Sequence, residues 1–565
     1  MKRILIIIIL LSALGGLVNN ANSQNFLWAK QMGGTNIDQS FSIAVDINGN
    51  VYTTGIFSGT ADFDPGLGTY YLTSAGNYDI FVSKLDPSGN FLWAKQLGGA
   101  VLDYVNSIAV DSSGNVYTTG YFKDTADFDP GIGTYYLISD ASYDIFVSKL
   151  DASGNFVWAK QMGGISNDEV GYSIAVDVGE NAYTTGFFNG TADFDPGTGT
   201  YNLTSAGNYP DIFVSKLDAS GNFLWAKQLG GTDADWGFSI AVDTSGNVYT
   251  TGTFVDTADF DPGTGTYNLT SAGNADVFIS KLDAFGNFLW AKRLGGINGD
   301  TGYSIAVDAT GNVYTTGTFS GTADFDPGIG TYNLTSAGGN DIFVSKLDAS
   351  GNFLWAKQLG GVNNADGGYS IAVDATGNVY TTGIFIDTAD FDPGMGIYNL
   401  ISAGLTDIFV SKLDTAGNFL WAKQMGGTNT DAGSSIEVDA SGNVYATGYF
   451  NVTADFDPSS GTYNMTSTGA DDIFVVKLGN TTGITENSNS NDIVNIFPNP
   501  GNGHSNIISS GIIDEIKITN LLGQIIFQTK PNENAFSFQL DAAGIYFIQI
   551  TTDKQSITKK LIVSR

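Results

Sequence analysis

The sequence has no cysteine and a single histidine, His504. The first absence excludes disulfides and thiol chemistry. The second excludes a Ser–His–Asp triad or a histidine-ligated zinc anywhere before residue 504. Basic residues are scarce: 24 Lys and Arg stand against 57 Asp and Glu, a net charge of −33. Residues 493–565 hold six basic and five acidic side chains, so the acidic excess lies upstream. Such a surface repels nucleic acid and anionic lipid. Beyond the N-terminus no apolar run approaches the ~18 residues of a membrane span. Ile4–Leu11 is apolar, follows Lys2 and Arg3, and precedes the small residues Ala21 and Ser23. This pattern predicts a secretory signal over 1–23, cleaved before Gln24, and a mature chain without a transmembrane segment. Sustained helical periodicity is also missing.

Repetition dominates what remains. Trp-Ala-Lys recurs at Trp28, Trp93, Trp158, Trp225, Trp290, Trp355 and Trp421. A period this regular means one structural unit copied seven times. Within a copy, Phe91–Leu97, Ser107–Asp111, Val116–Phe122 and Asp144–Leu150 read as four short strands, rich in β-branched and aromatic residues. Gly-containing turns separate them, and a longer Ala-Asp-Phe-Asp-Pro connection joins the third of these strands to the fourth. The expected fold is all-β: a seven-bladed propeller of four-stranded blades over 24–478. The Ser-Ile-Ala-Val-Asp strand, with the smallest side chains, belongs at the axis and the Trp strand at the rim. The last copy lacks a Trp strand and the N-terminus has one to spare, so 25–30 should pair with 472–478 and close the ring. A polar linker at 479–492 leads to a second domain at 493–565, expected to be a small β-sandwich.

The phrase Ser-Ile-Ala-Val-Asp-x-x-Gly-Asn-Val-Tyr-x-Thr-Gly, with Asp-Ile-Phe-Val-Ser-Lys-Leu-Asp-x-x-Gly-Asn-x-x-Trp, resembles the seven-bladed β-propeller repeat of secreted bacterial proteins. It is also distantly similar to the NHL repeat. The second domain closely resembles the type A C-terminal sorting domain of the type IX secretion system. That resemblance rests on Pro498-Asn499-Pro500, Asn520-Leu521-Leu522-Gly523-Gln524, Ala543-Gly544-Ile545-Tyr546-Phe547 and Lys559-Lys560-Leu561-Ile562-Val563. It implies a Bacteroidetes source, the type IX machinery as partner, and release or lipopolysaccharide attachment outside the cell.

Seven near-copies supply seven similar surfaces, whereas an active site needs unlike residues in one place. The Asp-x-Asp pairs (Asp62/Asp64 and its six equivalents) project two carboxylates one way and could share a Ca²⁺, but the remaining ligands of such a site are missing. No cofactor is therefore expected. The pairs read better as loop braces, and the Asp before x-x-Gly-Asn as a turn former. Departures from the repeat carry more information. Glu437 replaces an alanine found at 44, 109, 175, 241, 306 and 372; Arg293 replaces a glutamine. Trp236, the only tryptophan outside the phrase, sits beside Asp233 and Asp235. Asp124-Thr125-Ala126, Asp256-Thr257-Ala258 and Asp387-Thr388-Ala389 resemble a Bacteroidetes O-glycosylation motif, although common descent explains them as well.

The expected function is that of a monomeric, secreted or surface-displayed, adhesin-like binding or scaffold protein. A glycan or protein ligand should meet Trp236, Asp233 and Asp235 on the face of the Asp-Phe-Asp loops, and catalysis is not expected. The alternatives are a polysaccharide lyase or glycosidase with an axial site at Glu437, and a purely structural surface or matrix component.

Overall fold

The computed structural model describes residues 24–165, 168–362, 366–479, 494–497, 504–520, 524–540, 542–552 and 556–563. The chain divides into two units, Met1–Asn480 and Thr481–Arg565. The expected signal segment 1–23 and most of the linker lie outside the described residues.

In the first unit, strands Asp38–Val45, Val51–Phe57, Asp79–Leu85 and Phe91–Gly99 pair in that order, all antiparallel. Equivalent sheets follow, with inner strands at Asp103–Val110, Val170–Val176, Trp236–Val242, Thr301–Val307, Gly367–Val373 and Ala432–Val438. The last sheet takes its outer strand from the other end of the unit. Asn25–Gly34 pairs with Asn464–Gly479, setting Trp28 opposite Lys477 and Met32 opposite Ile473. Inner strands pack neighbour to neighbour around the axis, and Ala432–Val438 returns to Asp38–Val45.

Val51–Phe57 and Asp79–Leu85 are buried at every position. Each middle strand is sandwiched between two neighbouring blades, so neither face is wet and the sequence shows no polar alternation. One core joins Tyr52, Ile80 and Val82 of the first blade to Val116, Phe122 and Phe146 of the second. The core at the closure joins Tyr445, Ile473 and Val475 to Met32, Val51, Phe57 and Phe81. Each fully buried Phe or Tyr contributes roughly 1.5–3 kcal/mol, which makes these interfaces the main source of stability.

Polar bonds repeat around the ring as well. Ser42 Oγ accepts the Ile108 N–H at 3.2 Å, Ser107 accepts Ile174, and Ser173 accepts Ile240. The belt continues through Ser239, Ser304 and Ser370, and ends with Ser435 accepting the Ile43 N–H at 3.3 Å.

The longer Ala-Asp-Phe-Asp-Pro connection holds a short hairpin. Thr60–Asp62 pairs with Tyr71–Thr73, and Ala61 and Asp62 also pair with Gly34 and Gly33 of the preceding blade's outer strand. This strap ties each blade to the one before it. Its strands span three residues, too few to show a period in sequence.

The second unit is built around the long strand His504–Asn520. It pairs with Val494–Phe497 and Glu533–Gln539 along its first half, and with Ile525–Thr529 and Gly544–Thr552 along its second. Ser556–Val563 adds to Gly544–Thr552. Ile507, Ile516, Ile518, Ile548, Ile550 and Leu561 fill its core, the period-two spacing of Ile516/Ile518 and Ile548/Ile550 placing them on one face. Pro498–Pro500 and Leu521–Gly523 lie outside the described residues.

Candidate functional site

Most repeated charged groups are consumed inside the fold. Asp62 Oδ1 accepts the N–H groups of Asp64 and Tyr70 at 3.1 and 2.8 Å, and Asp64 Oδ1 accepts that of Gly66 at 2.9 Å. Phe63 between them is fully buried against Phe57 and Phe81. The other six pairs bond the same way, from Asp127/Asp129 to Asp455/Asp457. Among the described residues no three His, Cys, Asp or Glu side chains gather as a metal cluster.

On the opposite face, Asp46 accepts the N–H groups of Asn48 and Asn50, the Asn50 amide and the Tyr52 hydroxyl. At the equivalent Asp243 and Asp374, burial opposes ionisation. Hydrogen bonds from the turn and the tyrosine nevertheless hold both carboxyls below the usual range. Lys84 lies 4.7 Å above the Tyr52 ring, and it donates with Trp93 to the Ala152 carbonyl of the next blade. At the closure, Lys477 and Trp28 donate to the Pro87 carbonyl at 3.2 and 3.3 Å.

A third set was not legible as such in the sequence. Asp38, Asp103, Glu169, Asp235, Asp300, Asp366 and Asp431 open the inner strands and are buried. Each accepts the N–H of the second Gly of the preceding Gly-Gly, as Asp235 does from Gly231 at 2.7 Å. Beside each lies a second buried carboxyl, at the head of the third strand: Asp472, Asp79, Asp144, Asp211, Asp276, Asp341 and Asp407. Burial pushes Asp38, Asp103 and Asp235 up to about 7, Glu169 to about 8, and Asp300, Asp366 and Asp431 to about 6. The neighbouring carboxylate adds to every one of these shifts. Arg293 belongs to this layer: it donates to Asp276 at 2.8 Å, where the other blades use glutamine.

Of the expected site residues, Asp235 is therefore turned inward, its second oxygen taking the Val255 N–H at 3.1 Å. Asp233 is half-buried at the loop and, among the described residues, accepts a long bond from Thr232. Trp236 is half-buried at the start of an inner strand, opposite Thr253. Glu437 is half-buried on its inner strand and accepts its neighbour's N–H at 3.2 Å; burial pushes its carboxyl up to about 7. Among the described residues no second acid or base bonds to it.

The side chains that differ between blades sit where every inner strand carries a bulge. Its register shifts between Ser40 and Ser42, Val105 and Ser107, Gly171 and Ser173, and likewise in the remaining blades. A bulge re-aims one residue out of the ladder. Here those residues are Phe41, Asn106, Tyr172, Phe238, Tyr303, Tyr369 and Ser434. The bulge depends on the glycine opposite: a Cβ on Gly120 would stand 2.0 Å from the Tyr104 carbonyl oxygen. The re-aimed aromatics meet around the axis, with ring centres 5.1 Å apart for Tyr172–Phe238, 5.8 Å for Phe238–Tyr303 and 5.6 Å for Tyr303–Tyr369. Across the ring Phe41 stacks on Tyr104 at 4.9 Å, and Tyr104 on Tyr121 at 5.2 Å. The signal was present in sequence: the residue before Ser-Ile-Ala-Val is aromatic in five blades and differs in the others.

Clefts of about 400 Å³ open between blades, one beside Gln31, Asp62 and Asp64, another beside Asp243, Tyr249 and Lys281. They are lined by the repeated structural residues and recur from blade to blade.

The family described as "Beta-propeller repeat" matches residues 27–55, 92–121, 224–253, 289–322 and 354–383. "Secretion system C-terminal sorting domain" matches 495–564. The uncharacterized WD repeat-containing protein L264 of Acanthamoeba polyphaga mimivirus is 26% identical over 508 residues, 75% of this chain and 36% of that protein. Regulatory protein FlaEY of Caulobacter vibrioides is 30% identical over 142 residues, 25% of this chain and 14% of its own. The chain thus spans well under half the length of these curated relatives. Among solved structures, Sqt1 from Chaetomium thermophilum aligns with a TM-score of 0.39 at 11% identity, over 80% of this chain and 99% of that one. The chain carries β-propeller repeats and a type IX secretion system C-terminal sorting domain, which place it in the secreted fraction or at the outer cell surface.

Proposed function

We propose that this protein is an adhesin-like binding or scaffold propeller. A glycan or protein ligand would meet the face that carries the Gly-Gly loops, and catalysis is absent. One observation carries the reading. The repeated Asp, Lys and Trp side chains are occupied by internal bonds, while the residues that differ between blades collect around the axis on that face. Trp236 starts its inner strand two residues before the bulge residue Phe238. It offers the kind of half-buried aromatic that anchors recognition. Ca²⁺ is not required by this reading, because the Asp-x-Asp oxygens already hold backbone N–H groups.

The test is a glycan and surface-protein array probed with the purified full chain, with and without Ca²⁺. Binding is expected, and Trp236→Ala should weaken it. An array on which nothing is retained contradicts the proposal. A second reading has one observation in its favour: the Glu437 carboxyl, pushed up to about 7, is suited to proton transfer near neutral pH. Polysaccharide turnover that disappears in Glu437→Ala would establish that reading in place of binding.

A further inference from the structure

We infer that the mouth of the central channel, on the face of the Gly-Gly loops, is a subsite for a neutral sugar unit. The inner-strand bulge aromatics and the tyrosines beside them would hold it; this rests on the binding reading above.

Placement comes first. Each bulge residue lies in the first half of an inner strand, on the side where that strand leaves its Gly-Gly loop. Tyr172, Phe238, Tyr303 and Tyr369 form an arc over four consecutive blades. Ser434 and Asn106 are the small, polar members of the ring, so the aromatic circle stays open on that side. Tyr104 and Tyr449 border the gap: Tyr104 lies two residues before Asn106 on its inner strand, and Tyr449 pairs with Ala432, two residues before Ser434.

Chemistry comes second. Within the arc the rings meet at 64°, 45° and 85°, tilted or edge-on and not stacked face to face, and Tyr172 also meets Phe187 at 5.9 Å. The Phe41–Tyr104–Tyr121 stack, at 18° and 10°, is closed on itself and forms the wall. The hydroxyls of Tyr104, Tyr172, Tyr303, Tyr369 and Tyr449 make no hydrogen bond among the described residues, although all five side chains are half-buried. Tyr residues elsewhere in the blades, such as Tyr52 and Tyr249, spend their hydroxyls on aspartate. Uncommitted phenols both donate and accept, and they converge with apolar ring faces.

The ligand class follows. A purely apolar guest would strand these hydroxyls away from water, at a cost. An anionic guest is repelled by a chain of net charge −33. A cation would find no free carboxylate oxygen among the bulge residues. A pyranose-like ring satisfies both demands, with C–H faces for the aromatics and hydroxyls for the phenols.

The test uses the full chain, a panel of neutral and anionic saccharides, and the variants Tyr303→Phe, Tyr369→Phe and both together. These changes remove only oxygen atoms that lack a hydrogen-bond partner among the described residues, and thermal melting verifies that the fold is kept. Neutral saccharides should bind, each single variant should weaken binding about 2- to 10-fold, and the double variant more. Binding of neutral saccharides with no effect of the variants overturns the subsite but leaves the binding reading intact. Retention of anionic saccharides or proteins alone does the same. No retention of any ligand overturns both.

Discussion

At the residue scale, identical side chains acquire different fates from what surrounds them. Asp235 reads in sequence as a loop carboxylate beside a tryptophan, yet it is a buried brace for the Gly-Gly turn. Trp236, its neighbour, keeps part of its surface. Sequence alone could not separate the two, because acids that cap turns and acids that meet ligands share one vocabulary. Glu437 shows the complementary case. Its carboxyl is pushed from 4.5 up to about 7, so it contributes stability when neutral, and that contribution is lost as pH rises from ~4 through 7. Glu437→Ala, which restores the alanine of the other blades, should therefore leave stability near unchanged at pH 4–5 and raise the melting temperature at pH 8. A fall at pH 8 would show that the carboxylate is paired.

At the element scale, turns and bulges carry the constraints. Each strap is entered through a left-handed position just before its first strand, filled by Gly59, Gly190 and Gly321 in three blades and by Asp124, Asp256 and Asp387 in three more. Val452 occupies it in the last, at φ 64°. A β-branched residue is strained there by about 1–2 kcal/mol. Val452→Gly should stabilise the protein by about 0.5–1 kcal/mol, after the added chain entropy is subtracted, measurable by denaturant unfolding. Gly120→Ala should do the reverse, costing about 1–3 kcal/mol, since its Cβ would meet the backbone of the bulge. Strand identity, strand order and the N-terminal closing strand were legible from the Trp phrase and its spacing. The strap hairpin and the bulge were not. A three-residue strand has no period to detect, and a one-residue register shift leaves no trace in composition. Only the repeats aligned against each other expose the variable residue before Ser-Ile-Ala-Val.

At the scale of the whole molecule, the seven pairs of buried carboxyls predict a fold that tolerates mild acid. Groups raised to about 6–8 are neutral in the folded chain at pH 5, and their contribution is lost as pH rises from ~4 through 6–8. The turn aspartates act the other way. Held below the usual range, they stabilise above pH ~4 and lose that effect in stronger acid. The melting temperature should peak near pH ~4 and fall toward both pH 8 and pH 2; a curve still rising between pH 6 and 8 would mean that the pairs are ionised and compensated.

The central claim is that the repeats form an inert frame, and that recognition lies where the blades differ, at the axial mouth. Hydrogen–deuterium exchange of the full chain, with and without a ligand taken from the array, tests it most directly. The account predicts ligand-dependent protection at 169–173, 235–239, 301–304 and 367–370, together with the Gly-Gly loops that precede them. Protection confined to the Asp-x-x-Gly-Asn turns of the opposite face, or to the outer Trp strands, would contradict it.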